Sequence, residues 1–288
     1  MTVTITPLGL FRAALGECPR WEGGVLWLMD CRKGLILSMD PAGAVTVQAT
    51  VPAPAGSFAL RQGGGFVVAL RDEVVLIDPD GTRHSAGRIG DSHPNLRLND
   101  GTVLPDGSFL TGTMHVFRDP GEPPLGGVYR LSPEGRLARV AAALGVANGP
   151  CVGPDNRLYI ADSAARTIHS YAIGADGALL DMRPFVDLSA LGSAPDGCCF
   201  DDQGGLWTAL VHVGALVRLD AGGQVCQRID LPVRHPAALC FGGGALDEMF
   251  VTSISDSGRL RADGPLDGAV LRVTGHGRRG LSPSRFAG

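Results

Sequence analysis

A turn followed by a short apolar strand recurs six times along this chain, and that recurrence limits what it can fold into. The occurrences are GGVLWLMD at 23–30, GGGFVVAL at 63–70, PDGSFLTGTM at 105–114, PDNRLYIADS at 154–163, DQGGLWTAL at 202–210 and GGALDEMFVTS at 243–253. Their centres step by about 40 to 50 residues, the length of one propeller blade. After each comes a short hairpin and a second strand: GLILSMDPAG, VVLIDPDG, GVYRLSPEG, TIHSYAIGADG, ALVRLDAGG and AVLRVTGHG. Each alternates apolar with polar residues and ends in a turn of Gly, Pro, Asp or their like. Weaker strand signals such as VTVQATV and RHSAGRI leave room for four strands per unit. No segment carries a sustained helical stripe. RLARVAAALGV at 136–146 is apolar enough to be ambiguous, but its place after a hairpin argues for an outer strand.

Six equal β units expose strand edges, and radial closure protects them. The repeat therefore predicts an all-β six-bladed β-propeller with four-stranded antiparallel blades, forming a single domain over residues 1–288. A β-sandwich or a pair of barrels fits the regular period less well. The N-terminal VTITPLG is expected to supply the strand that closes the ring against the last blade.

Composition agrees and excludes other classes. Hydrophobic residues make up 44% and charged residues 19%, enough apolar area for a large core. The 42 Gly and 20 Pro are spread along the chain, as many short elements with tight turns require. A net charge of −4 gives no electrostatic case for nucleic-acid binding. No apolar window of about 18 residues exists to span a membrane. The N-terminus lacks the basic start and apolar run of a secretory signal. The seven cysteines are odd in number and not framework-spaced, so reduced, mostly buried thiols and a cytoplasmic location are expected.

Polar residues that converge on a propeller's central channel from distant positions can form a site. Four segments hold acids or amides in the same phase, just before the recurring strands taken here as inner: Glu17 in LGECPRW, Asn99 and Asp100 in RLNDGTVLPDG, Asn148 in VANGPCVGPDN and Asp196 in APDGCCFDDQG. Asn and Asp before Gly are also ordinary turn residues, whereas Glu17 is a poor turn former. Together they make an all-oxygen set suited to one hard or borderline divalent cation: Ca²⁺, Mn²⁺, Mg²⁺, Fe²⁺ or Zn²⁺. Open coordination positions would remain for water and substrate.

LGECPRWEGGVLWLMD, RLNDGTVLPDGSFLTGTM, NGPCVGPDNRLYIADS and PDGCCFDDQGGLWTAL closely resemble the SMP-30/gluconolactonase (regucalcin) family. The likeness runs nearly end to end, including CFGGGALDEMFVTS and the terminal GLSPSRFAG. The resemblance implies a sugar lactonase with one divalent metal in the channel mouth. It implies Glu17, Asn148 and Asp196 as metal ligands, with Asp196 also the base, and Asn99 as a further ligand or a substrate contact. Arg97 of the same RxND motif would contact substrate oxygens.

The sequence departs from the family in two places. Cys18 stands where the family usually has Gly, and GTM is followed by His115, Val116 and Phe117, not by acidic residues as in animal members. GTMH and NGPC are more similar to bacterial enzymes acting on xylono- or arabinonolactone, so a pentono- or gluconolactone is the expected substrate and small molecule the expected partner. A monomer or weak homodimer is expected.

Metal-assisted hydrolysis of the cyclic ester follows as the expected reaction. Among the loop histidines His93, His115 and His212, His115 is expected to reach substrate because it follows the GTM strand. Cys151 and Cys198 adjoin the expected ligands without a sequence-adjacent His, and read as inert thiols. A GxSxG elbow and phosphate-loop signatures are absent. Two rivals share the scaffold: a calcium-dependent esterase or phosphotriesterase, and a non-catalytic calcium-binding propeller.

Overall fold

Alternating apolar and polar residues between Gly- and Asp-rich turns become strands in all six units. The computed structural model describes residues 2–90 and 93–288. Its strands form six four-stranded antiparallel sheets. The innermost strand of each sheet packs against that of the next, and the sixth packs against the first, which closes the ring. Among the described residues the one helical element is a short 3₁₀ turn at Ser189–Leu191. In blades 1 to 5 the hairpins between third and fourth strands turn on glycines in the left-handed region, where a Cβ would be strained: Gly43, Gly81, Gly135, Gly177 and Gly223, with φ between 78° and 89°.

The expected seam is present. Thr4–Pro7 pairs antiparallel with Leu271–Thr274 and completes the sixth blade as its outermost strand. Leu137–Leu144, the ambiguous apolar run, is the outermost strand of blade 3.

One expectation needs correcting. The recurring turn-plus-strand segments are not the innermost strands; they are the second strand of each blade. The innermost are Gly16–Glu22, Ser57–Leu60, Leu96–Val103, Ala147–Val152, Pro195–Phe200 and Pro236–Gly242. They line the channel, and five of the six hold Gly, Pro, Asn or Asp, which breaks the alternation that marks a half-buried strand. The candidate residues therefore lie in strands rather than in loops leading to them. In five of the six blades the register between innermost and second strand slips, at Glu17/Arg20, Leu98/Gly101, Asn148/Cys151, Pro195/Cys198 and Pro236/Leu239. Such bulges re-aim side chains out of the regular pleat.

The core lies between blades. Phe286 of the C-terminal tail sits among Phe109, Tyr129 and Leu131. Burying such a ring contributes roughly 1.5–3 kcal/mol. The tail is held by Phe286 N–H donating to Leu60 O (2.9 Å), Ala287 N–H to Gly107 O (2.9 Å) and Arg20 to Ser284 O (2.8 Å). It runs along one end of the channel, where Leu281–Ser284 line a cavity of about 250 Å³ with Cys18, Cys151, Cys198, Cys199 and Cys240. All seven cysteines are free thiols, and burial pushes Cys198 and Cys240 up to about 12. Those thiols are protonated at neutral pH, which suits the inert reading.

Candidate active site

At the other end of the channel lies a cavity of about 360 Å³. Four innermost strands deliver Glu17, Asn99, Asn148 and Asp196 to it, each at or beside a bulge. Blade 2 offers Gly56 to the same cavity, so the ring is chemically lopsided. The connections between second and third strands form the rim, contributing Ser163, Ala164, Val211, His212, Ser257, Arg259 and Leu260.

The carboxylates of Glu17 and Asp196 accept no hydrogen bond from any described residue. Burial raises both well above the ordinary carboxylate range. The charges of Asp196 and Asp100 push Glu17 further, Asp100 pushes Asp196, and Arg97 opposes both shifts. Two donor-free acids held in one cavity are an incomplete arrangement: they must take up protons or a cation.

The amides are tightly placed. Asn99 Nδ2 donates to Asn148 Oδ1 (2.6 Å) and Ala147 O (2.9 Å). Asn148 Nδ2 donates to Ser163 Oγ (2.9 Å), and Ser163 Oγ–H donates to Pro195 O (2.6 Å). This chain ties blades 3, 4 and 5 together and leaves a lone pair on Asn148 Oδ1. Ser163 escaped the sequence reading because a Ser after a strand carries no signal of its own.

Asp100 behaves differently from its neighbour Asn99. Its oxygens accept from Gly101 N–H (2.7 Å), Gly149 N–H (2.9 Å) and the Cys18 thiol (3.4 Å). Asp100 lines both cavities and anchors strand to strand between them. Arg97 lines the site cavity with its guanidinium donating to Leu98 O (3.0 Å) and Met114 Sδ (3.2 Å), leaving other N–H groups free.

His115 does not reach the cavity. Strand alternation turns Met114 toward it and His115 away. The His115 ring is buried, its nitrogens have no hydrogen-bond partner among the described residues, and it packs edge-on against His93 at 6.2 Å. The histidine that does line the cavity is His212, whose pKa burial lowers, with His235 and Arg166 adding to the effect. His212 is therefore neutral at neutral pH.

Phe117 and Arg259 come from the long connections of blades 3 and 6 and meet at the rim. The guanidinium carbon stands 5.1 Å from the ring centroid, a cation–π contact.

Residues 15–255 match the family model described as the SMP-30/gluconolactonase/LRE-like region. The chain belongs to that family. A 6-deoxy-6-sulfogluconolactonase of Pseudomonas putida is 34% identical over 270 residues, covering 90% of each chain. The regucalcin of Xenopus laevis is 31% identical over 284 residues, covering 95% of each. The solved structure of a calcium-binding regucalcin from Agrobacterium tumefaciens superposes with a TM-score of 0.85 at 22% identity, over 97% of this chain and 96% of that one. At that identity the likeness speaks for the fold.

Membership gives Cys18 a physical reading. Its φ is 51°, in the left-handed region that favours glycine, which is the usual family residue there. This chain accepts the strain of a Cβ and gains a thiol donor to Asp100.

Proposed function

We propose that this protein hydrolyses a sugar lactone to its aldonic acid with the help of one divalent cation. The pairing of two donor-free carboxylates, Asp196 buried and Glu17 half-buried, with an oriented carboxamide in one cavity carries this reading. Glu17, Asn148 and Asp196 would hold the cation: their donors are all oxygen, and the cation would supply the positive charge that Arg97 alone does not. When bound, such an ion polarises the lactone carbonyl and lowers the pKa of water.

The rest falls to the chain's own side chains. Asn99 fixes Asn148 through its 2.6 Å hydrogen bond. The free N–H groups of Arg97 receive the carbonyl or hydroxyl oxygens of the sugar, and stabilise the oxyanion as it forms. Asp196 takes a proton from the attacking water. The water oxygen bonds to the carbonyl carbon, the ring C–O bond breaks, and the departing alkoxide recovers a proton. Leu15, Val211 and Ile254 give the cavity an apolar wall against bulk water.

The deciding experiment is purification without chelator, metal identification by mass spectrometry, and an assay of aldonolactones by acid release. Chelation should abolish turnover and metal re-addition restore it. Full turnover in a sample verified as metal-free would overturn the proposal. Glu17→Gln and Asn148→Ala in the same assay should lose both metal and activity.

A further inference from the structure

Beside the site cavity lies a second hollow of about 240 Å³. The two are contiguous, sharing Leu15, Arg97, Met114, Ser257 and Arg259. Among the described residues, the charged lining of this side lobe consists of Arg32, Arg71, Arg97 and Arg259, with no Asp or Glu. Four guanidiniums around one hollow repel each other, and nearby carboxylates would normally offset them. Here none of the four is ion-paired to a carboxylate among the described residues. Arg71 spends one N–H on Pro94 O at 2.7 Å, and Arg259 lies over Phe117. Asp256, whose carboxyl feels the charge of Arg32, is already engaged by Gly258 N–H (2.8 Å) and Arg261 (3.4 Å). Guanidinium forks match the oxygens of carboxylate, phosphate and sulfonate groups.

The position of the lobe matters as much as its charge. The donor-free acids Glu17 and Asp196 line the main cavity only, while Arg97 and Arg259 line both hollows. A substrate with its ester carbonyl near the acids can extend past Arg97 into the lobe. We propose that the preferred substrate is an aldonolactone with an anionic group at the end remote from the ester, held in the lobe by Arg32, Arg71 and Arg259. The ring's placement rests on the lactonase reading; the anion's placement rests on the lobe alone. An independent observation points the same way. The relative at 34% identity is named for a sulfonated gluconolactone, an anionic substrate of this kind. The segment after GTM also contributes Val116 and Phe117 to the lobe, where an acidic residue would repel such a group.

Gluconolactone, its terminal phosphate ester, its terminal sulfonate and the lactone of the corresponding dicarboxylic acid separate the possible anions. The metal-loaded protein is assayed with each, beside the Arg32→Ala/Arg71→Ala double variant. Both arginines are exposed, so the variant should fold. At least one anionic lactone should exceed neutral gluconolactone in kcat/KM by about tenfold or more, mainly through KM. The double variant should erase that preference and leave neutral turnover within about twofold, because neither side chain lines the main cavity. Equal kcat/KM across the panel, or a preference that survives the double substitution, overturns the proposal. If no lactone is hydrolysed, the lactonase reading fails, and calorimetric binding still decides the lobe. Gluconate bearing a terminal phosphate should then bind about tenfold tighter than gluconate, with the difference lost in the double variant. Equal affinities for the two acids overturn it.

Discussion

Asp196 and Asp201 stand five positions apart in one blade, both are buried, and they are held in opposite ways. Asp201 is saturated. It accepts from Arg218 Nε (2.6 Å) and Nη2 (3.1 Å), Trp207 Nε1 (2.9 Å), Gly205 N–H (2.9 Å) and Gln203 N–H (3.0 Å). Although burial pushes upward, the Arg218 hydrogen bonds lead a set of donors that hold its carboxyl below the ordinary range. Asp196 has no donor and is pushed the other way. The lesson is that burial does not decide what an acid does. The donor count does: a satisfied acid stabilises the fold, and an unsatisfied one is kept for a ligand.

Replacement by the isosteric amide should separate the two roles. Asp196→Asn should lower lactone turnover on the order of a thousandfold or more, since it removes the proposed cation ligand and base together. The melting temperature of the metal-free protein should hold or rise, because the amide resembles the neutral acid that burial favours. A turnover loss matched by unfolding would break the comparison. Asp201→Asn should do the reverse. Leaving Arg218 buried and unpaired should cost about 3–5 kcal/mol in denaturant unfolding. Turnover per folded molecule should be kept.

Smaller effects sharpen the picture. Ser163→Ala deletes the hydroxyl that receives Asn148 Nδ2 and should weaken cation affinity about 10–100-fold, read by competition with a metal indicator. Little change in melting temperature should accompany it. The pH dependence of stability gives the finest test. Glu17 and Asp196 have raised folded-state pKa values, so they contribute stability at acid pH that is lost as pH rises through those values. Asp201 has a lowered one, so its contribution is present above the ordinary carboxylate pKa and lost as pH falls through the folded value. Metal-free wild type should therefore lose stability relative to Asp196→Asn as pH rises from about 4 toward neutrality. Added cation should reverse that trend, since it binds the ionised acids.

Much of this was legible in the sequence because a propeller repeats its signals. The second and third strands announce themselves six times, and Glu17, Asn148 and Asp196 share one phase of the period. The innermost strands were harder to read. Most are bulged and hold Gly or Pro, so they resemble the turns that precede a strand, and the candidate residues read as loop residues in the sequence. His115 was misjudged for a related reason: the strand continues one residue past Met114, and alternation sends the next side chain away from the cavity. Arg32, Arg71 and Arg259 lie in the connections between second and third strands of blades 1, 2 and 6, where length and residue type differ from blade to blade. The repeat does not single them out, and only the folded chain gathers them around one hollow.

The seam in the sixth blade has a consequence for how the protein is made. Thr4–Pro7 is made before any other strand of the propeller, yet its partner Leu271–Thr274 is made after all of them. The earliest strand must wait unpaired while the other blades form. Closure thus waits until all six blades exist, and it sets when Glu17 of blade 1 first faces Asp196 of blade 5.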